Sequence, residues 1–563
     1  MLRRAALLVL LAAVFAPSAH AQGTTLLPGV TYEKTVEFTP HGVAVLHVVI
    51  APRPGDQNGL YQLAPVLAHG TITGGTEPVT QLEQDVSATA TSVGIDGDLF
   101  SATDGHPSGV VLQGGVLTHP PLAGRSSIGI DTAGGLHVDR VRFFGTWQGT
   151  GQRRTLAGIN TTPAPGQTVL FTPGYGARAP TVAGAAEVVL EPFPAALPNT
   201  DLSAVVTAAG SGGGEAIPRD GAVLMAVGAA AAKLQAEGPA GTTIKSRLIL
   251  QPAWAGVSTA LGGGPLLVKG GKAVFRSLED FTNDQVTARS ARAAVGQLAD
   301  GRILLVAVDG GQPGYSVGLT SFELAQALVR LGAVTAAGVD PGDAVSVAFD
   351  GKLLDRPSAG SERPVKEALL VEYAGVYAPQ PPLSPLTGEP GRTQEPLVYK
   401  IVRPSTVTAE LIGPDGVPRV LEAGVQHPAG TYSFTYGTFD LEGTWHWNVT
   451  ATDDLGRRST MDTTFRYDAT LRGLAVPRTA QGRLRVRFTL SRPAQVQLSI
   501  ETPGGVLLRT LPSVALQPGP QSVAWDGRLP LGSPAYAGTY VAQFAVTSAV
   551  GTSDLTATFQ YRR

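Results

Sequence analysis

The chain has 563 residues, 43% of them hydrophobic and 15% charged, enough apolar material for more than one core. Its 42 basic and 44 acidic residues give a formal net charge of -2 with no long like-charge run, which argues against an electrostatic nucleic-acid footprint. It contains no cysteine, which excludes disulfides, zinc-thiolate sites, iron–sulfur clusters and cysteine nucleophiles.

The N-terminus reads as a targeting segment. "MLRR" is a positive start, "AALLVLLAAVFA" is too short to span a bilayer, and Ala19-His20-Ala21 is a small-x-small cleavage pattern before Gln22. Residues 1–21 are therefore expected to be a secretory signal peptide, giving a secreted, periplasmic or envelope protein with no integral span after cleavage.

Strands and helices are predicted to alternate from residue 28 to 377, an α+β domain. "VAVLHVVIA" (43–51) and "RILLVAVDG" (302–310) are apolar strand runs. "DGAVLMAVGAAAAKLQAEG" (220–238) reads as a strand leading into a helix. "SFELAQALVRLG" (321–332) carries apolar residues at helical spacing, with Thr320 and Glu323 as a capping box and Gly332 as a C-terminal stop.

"APQPPLSPLTGEPGRTQEP" (378–396) is rich in proline and glycine and reads as a linker. Helical periodicity then vanishes and an internal repeat begins. "YKIVRPSTVTAELIGPDG" (399–416) aligns with "FTLSRPAQVQLSIETPGG" (488–505), and "GTWHWNVTATDDLG" (443–456) with "GTYVAQFAVTSAVG" (538–551). The period of about 90 residues is a sandwich-domain length. The expected organisation is two all-β Ig-like sandwiches, 397–470 and 471–563. The second resembles the FlgD-type Ig-like module through Trp525, Asp526, Gly527 and Gly538, Thr539, Tyr540, which the fold uses for packing and turns.

Four stretches carry candidate chemistry. "GYSVG" (314–318) fits G-x-S-x-G, but a nucleophile elbow needs a strand ending at Ser316 and a helix starting there. The strand ends near Asp309, the helix starts near Ser321, and the later histidines are His427 and His446, so a Ser-His-Asp triad is disfavoured. "IDGDLFSATDG" (95–105) holds Asp96, Asp98 and Asp104. Phe100 and Pro107 fall where an EF-hand needs ligands, so it is a loop that presents carboxylates or a plain Asx turn. "LGGGPLLVKGGK" (261–272) is not a P-loop, and Gly262, Gly263 and Gly264 imply a close backbone approach or a tight turn. "RPSAGSERPVKEALLVEY" (356–373) places Arg356, Glu362, Arg363 and Lys366 before a buried strand, where arginines clamp phosphate or solvate the surface.

In chain order these segments resemble one family. "VGIDGDLFSATDGHPSGVVLQGG", "LGGGPLLVKGG", Arg292 in "ARAAVG", "GRILLVAVDGGQPGYSVGLTSFELAQALVRLGAVTAAGVD" and "PSAGSERPVKEALLV" are similar to the blocks of the phosphodiester glycosidase (NAGPA-type) domain. The resemblance spans roughly 28–375. It implies hydrolysis of a glycosyl phosphodiester, a sugar phosphodiester or polysaccharide of the envelope being the partner. In this reading water attacks the anomeric carbon and a phosphomonoester leaves. It assigns Asp96, Asp98 and Asp340 to catalysis, and Gly262, Gly263, Gly264, Arg292, Ser316 and Arg363 to substrate. No cofactor is demanded, although Asp98 with Asp340 or Asp343 is a candidate pair for a divalent cation.

The chain departs from the family at one loop. The family's D-G-G-G-S-[ST] becomes Asp340-Pro341-Gly342-Asp343-Ala344-Val345. Proline removes an N–H and Asp343 adds negative charge where a phosphodiester must approach. The competing expectation is therefore a catalytically impaired glycan-binding or envelope scaffold protein, attached through its Ig-like modules.

Overall fold

The computed structural model describes residues 23–55, 59–276, 278–383, 394–437, 439–503 and 507–563. The expected signal peptide and the middle of the 378–396 linker lie outside these residues. The chain is multidomain and strongly β-rich. The α+β expectation is corrected by how few helices there are: among the described residues the α-helices are Val79–Asp85, Ala229–Glu237, Asn283–Thr287 and Ser321–Arg330. No helix among the described residues is long and apolar enough to cross a membrane.

Two antiparallel sheets position the candidate site. One has eight strands and at its centre sets Gly42–Ala51, Ile303–Val308, Arg292–Leu298 and Ala333–Gly338 side by side. Their near-continuous apolar sequences fit strands covered on both faces. Helix Ser321–Arg330 covers one face with Leu324, Ala325, Ala327 and Leu328. Its start is the capping box read from the sequence: the Glu323 amide donates to Thr320 Oγ1 (3.2 Å) and the Thr320 amide to Glu323 Oε2 (2.9 Å). The second sheet has five strands, with Thr91–Asp96 between Val347–Phe349 and Glu367–Tyr373. Val49, Val295 and Leu305 of the first sheet share a core with Val93, Ile95, Leu369 and Val371 of the second.

A further eight-stranded sheet and a five-stranded sheet fill residues 111–262. Strand Val257–Gly262 of the smaller one delivers the glycine run to the site.

Beyond residue 394 each repeat consists of two facing sheets. Strands Ser405–Ile412, Gly443–Asp453 and Arg458–Tyr467 of the first unit recur as Ala494–Glu501, Gly538–Ser548 and Gly551–Arg562 of the second. Trp445 and Trp447 are buried in one unit and Trp525 in the other, as the packing role of the aromatic positions requires.

The first unit shares a core and hydrogen bonds with the domain before it. Its Leu397, Tyr399, Trp445 and Trp447 belong to the same apolar core as Tyr61 and Tyr373. Tyr377 and Lys400 exchange backbone hydrogen bonds of 2.9 and 2.7 Å. Ser459 Oγ accepts from the Val376 amide (2.9 Å), and Arg457 donates to the Gly59 carbonyl (3.0 Å). The last unit has its own core, including Val486, Leu498, Trp525 and Phe544.

Candidate active site

Three chain segments are stitched together by backbone hydrogen bonds at one end of the two sheets. The Asp340 amide donates to the Gly97 carbonyl (2.9 Å), the Gly97 amide to the Glu367 carbonyl (2.9 Å), and the Asp96 amide to the Ser346 carbonyl (3.1 Å). The Ser346 amide returns a bond to Asp96 Oδ1 (3.1 Å). This lacing brings Asp96, Asp98, Asp340 and Glu367 together, all buried.

Four buried carboxyls repel one another and lose hydration, so each has its ionisation pushed upward. Burial dominates in every case. Asp340 is raised to about 8, with the charge of Asp98 adding to burial and Arg363 opposing it. Glu367 is raised to about 8 by burial and by Asp98. Asp96 is held well above the carboxylate range by burial, with Asp340 and Asp355 adding to it. Asp98 is raised by burial, but Arg125 pulls against that. Arg125 Nη2 lies 2.5 Å from Asp98 Oδ1. Of the four, Asp98 alone has a guanidinium in contact, so it ionises first. Asp98 Oδ2, Asp96 Oδ2 and both Glu367 oxygens are buried without a hydrogen-bond partner. Such unsatisfied acid oxygens are costly in a core and typical of a working site.

Arg125 itself is buried, and its guanidinium stacks on Phe281 at 4.6 Å from the ring centroid. His119 backs the site. Its Nδ1 lies 2.7 Å from the Gly109 carbonyl, which only accepts, so Nδ1 carries the proton. Burial pushes its pKa down to about 4, so the ring is neutral.

The remaining expected residues are placed as follows. Gly262 packs on the site: a Cβ there would collide with the Asp98 carboxylate and with Gly109. Gly263 abuts Ile128 and the Gly338 carbonyl, and Gly264, at φ +118°, abuts Glu279 and Phe281. The Gly264 amide is spent on the Gly338 carbonyl (2.8 Å). The close approach is thus to the protein's own side chains. Arg363 reaches the site's rim, where its Nη1 is 2.6 Å from Asp343 Oδ1 and its guanidinium lies over Phe100.

Arg292 and Ser316 have other work. The Arg292 guanidinium donates to the backbone carbonyls of Leu319 (3.1 Å), Ala288 (2.6 Å) and Gln285, so its donors pin the helix 283–287 instead of facing a phosphate. Ser316 Oγ donates to the Asp309 carbonyl (2.5 Å) and accepts from the Val45 amide (3.1 Å). It supports a separate cluster in which Asp309 Oδ2 meets His47 Nε2 (3.0 Å) and the Tyr315 hydroxyl (2.9 Å). Among the described residues no three His, Asp or Glu side chains are grouped to hold a metal ion. Asp343, one candidate cation ligand, is turned to Arg363 instead.

Arg125, His119 and Glu367 were not singled out by the sequence. Glu367 had the one visible signal, a carboxylate opening an otherwise apolar strand, "EALLVEY".

Fold and site together define a β-rich protein with a buried carboxylate cluster held by one guanidinium. Residues 199–372 match the family described as phosphodiester glycosidase, and residues 474–550 match the FlgD Ig-like domain, so the chain resembles both families over those spans. The matched span contains Asp340, Arg363 and Glu367. Asp96, Asp98 and Arg125 come from the region before it. The SPbeta prophage-derived uncharacterized protein YomE of Bacillus subtilis is 29% identical over 118 residues, 21% of this chain and 18% of its own length. The crystal structure of a hypothetical protein from Synechocystis superposes with a TM-score of 0.51 at 25% identity, covering 61% of this chain and 62% of that one. The catalytic domain of zebrafish N-acetylglucosamine-1-phosphodiester alpha-N-acetylglucosaminidase, auto-inhibited by its pro-peptide, is 13% identical at a TM-score of 0.34, covering 62% and 85%. The chain thus spans less than a fifth of the curated relative and under two thirds of the Synechocystis chain.

Proposed function

We propose that this protein is exported and hydrolyses a glycosyl phosphodiester, releasing a sugar and a phosphomonoester. The observation that carries this reading is the unequal treatment of the four carboxyls. Environments that push neighbouring acids apart assign acid and base roles. Asp98, beside Arg125, supplies the carboxylate that steers water or stabilises an oxocarbenium-like state. Asp340 and Glu367, raised to about 8, stay protonated at neutral pH and donate toward the departing phosphate. Their neutrality matters more than their acidity. Phosphate is a good leaving group, but an anionic diester would be repelled by four ionised carboxylates.

Arg363 is the cation at the rim, and the surface pair it makes with Asp343 must open for it to hold phosphate. The signal peptide exports the chain, and the Ig-like modules hold the domain at the envelope.

A second reading, a glycan-binding protein with impaired catalysis, is favoured by one observation: Arg363 is already engaged by Asp343. The two separate in one assay. Purified protein is incubated with the methyl phosphodiester of N-acetylglucosamine 1-phosphate and with nucleotide sugars, and phosphomonoester is followed by phosphorus NMR. Turnover abolished by Asp98→Asn and Asp340→Asn is expected. No release from any substrate, with saturable binding of the sugars, would leave the binding reading.

A further inference from the structure

Beside the acid cluster lies a cavity of about 580 Å³, within the usual range for small-molecule pockets. Its walls are Leu267, Val274, Phe281 and Phe322, and Phe275 and Leu278 stand at its rim. Those two rim side chains are 72% and 79% exposed, an unusual placement for large apolar groups on one short loop. Leu278 also has a positive φ of 56°, a conformation that side chains of its kind avoid. Its carbonyl is fixed there by Arg140 (2.5 Å). Phe275 is braced edge-on against Phe322, with centroids 5.0 Å apart. The loop is therefore built to present apolar surface.

The cavity and the candidate site share one wall. Phe281 lines the cavity on one side and carries the Arg125 guanidinium, which holds Asp98. Glu279 also lines the cavity, and its two oxygens are held by the Leu266 and Ser126 amides at 2.7 Å each. Arg276 adds a second cation, at the edge of this cavity.

We infer that this cavity binds the hydrocarbon portion of an amphiphilic phosphodiester, an alkyl or prenyl chain on the phosphate leaving group. The inference rests on the phosphodiesterase reading and adds the substrate class: a lipid-linked sugar phosphate in place of a wholly polar one. An apolar groove next to the acid–guanidinium site matches the two halves of such a molecule, hydrocarbon chain and sugar phosphate.

The test uses the full-length mature protein and two monomeric probes, decyl phosphate and ethyl phosphate, measured by calorimetry. Decyl phosphate is expected to bind at least about tenfold more tightly, which is 1.4 kcal/mol. Phe275→Ser and Leu278→Asp, both exposed and tolerant of polar replacement, are expected to erase that difference. Equal affinities, unchanged decyl phosphate binding in both variants, or uptake onto phospholipid vesicles without binding of the monomer each overturn the inference. Hydrolysis of methyl and decyl phosphodiesters of N-acetylglucosamine 1-phosphate separates the two readings. Failure on both esters with decyl phosphate still bound sinks the hydrolase alone. Hydrolysis of both at equal KM sinks the lipid subsite alone.

Discussion

Asp343→Ala should tighten substrate binding, because it frees the one rim arginine that the proposed reaction needs. The Arg363–Asp343 pair has a 2.6 Å contact but its side chains are 38% and 56% exposed. Exposed pairs are worth about 0–1 kcal/mol, so the protein should lose less than about 1 kcal/mol of stability. Removing the carboxylate also removes its repulsion of the phosphate, about 0.7 kcal/mol for charges roughly 6 Å apart in water. Together these give about 0.7–1.7 kcal/mol, a lowering of KM by about threefold to about twentyfold with kcat little changed. The gain should shrink in high salt. Asp343 also helps to raise Asp340, so the alkaline limb of the rate profile, set by loss of the Asp340 proton, should move to lower pH. Steady-state kinetics on the methyl phosphodiester at two ionic strengths measures all three effects. An unchanged KM, or a double variant Asp343→Ala with Arg363→Ala that binds as tightly as the single, would refute the reasoning.

Asp340 is raised from 3.8 to about 8 on folding, so the unfolded chain ionises it first as pH climbs. Its contribution is complete below pH 4 and is lost at up to about 1.4 kcal/mol per pH unit between 4 and 8. Asp340→Asn should flatten that slope in urea melts taken across the range, and an unaltered slope contradicts the assignment. Arg292→Ala should cost about 2–4 kcal/mol by stranding three carbonyls, while the KM for phosphodiester stays within about twofold. A large KM effect in folded Arg292→Lys would return Arg292 to the substrate. Ser316→Ala should lower stability by about 1–2 kcal/mol, and fluorophosphonate reagents should leave Ser316 unlabelled. Labelling there would revive a serine nucleophile.

What the sequence made legible was local. The capping box at Thr320 and Glu323, the apolar strands and the repeated aromatic positions depend on neighbours a few residues away, and the structure contains them. What it hid was occupancy. Arg292, Ser316 and Gly264 had the right chemistry for a substrate, but nothing local shows that carbonyls of Leu319, Asp309 and Gly338 already take their donors. Glu367 was hidden for the converse reason. At the head of an apolar strand it looks like a solvating residue, and only the crossing of Gly97, 270 positions earlier in the chain, buries it. The shared core was hidden similarly, since proline and glycine mark a turn in the path without telling whether Tyr61 and Tyr399 pack together across it.

The loop 340–345 divides by where its side chains go. Ala344 packs among Ala68, Val79, Leu82, Ala348 and Val365, and Val345 joins the core between the two sheets. A hydroxyl at either position would enter an apolar surround and need a new partner, so Ala344 and Val345 answer to packing. Pro341 follows Asp340 without disturbing the bond from the Asp340 amide to Gly97. Gly342 keeps the positive φ, 87°, that the turn requires. That leaves Asp343 as the residue of this loop whose charged side chain is exposed beside the carboxylates and touches the arginine that the proposed reaction needs.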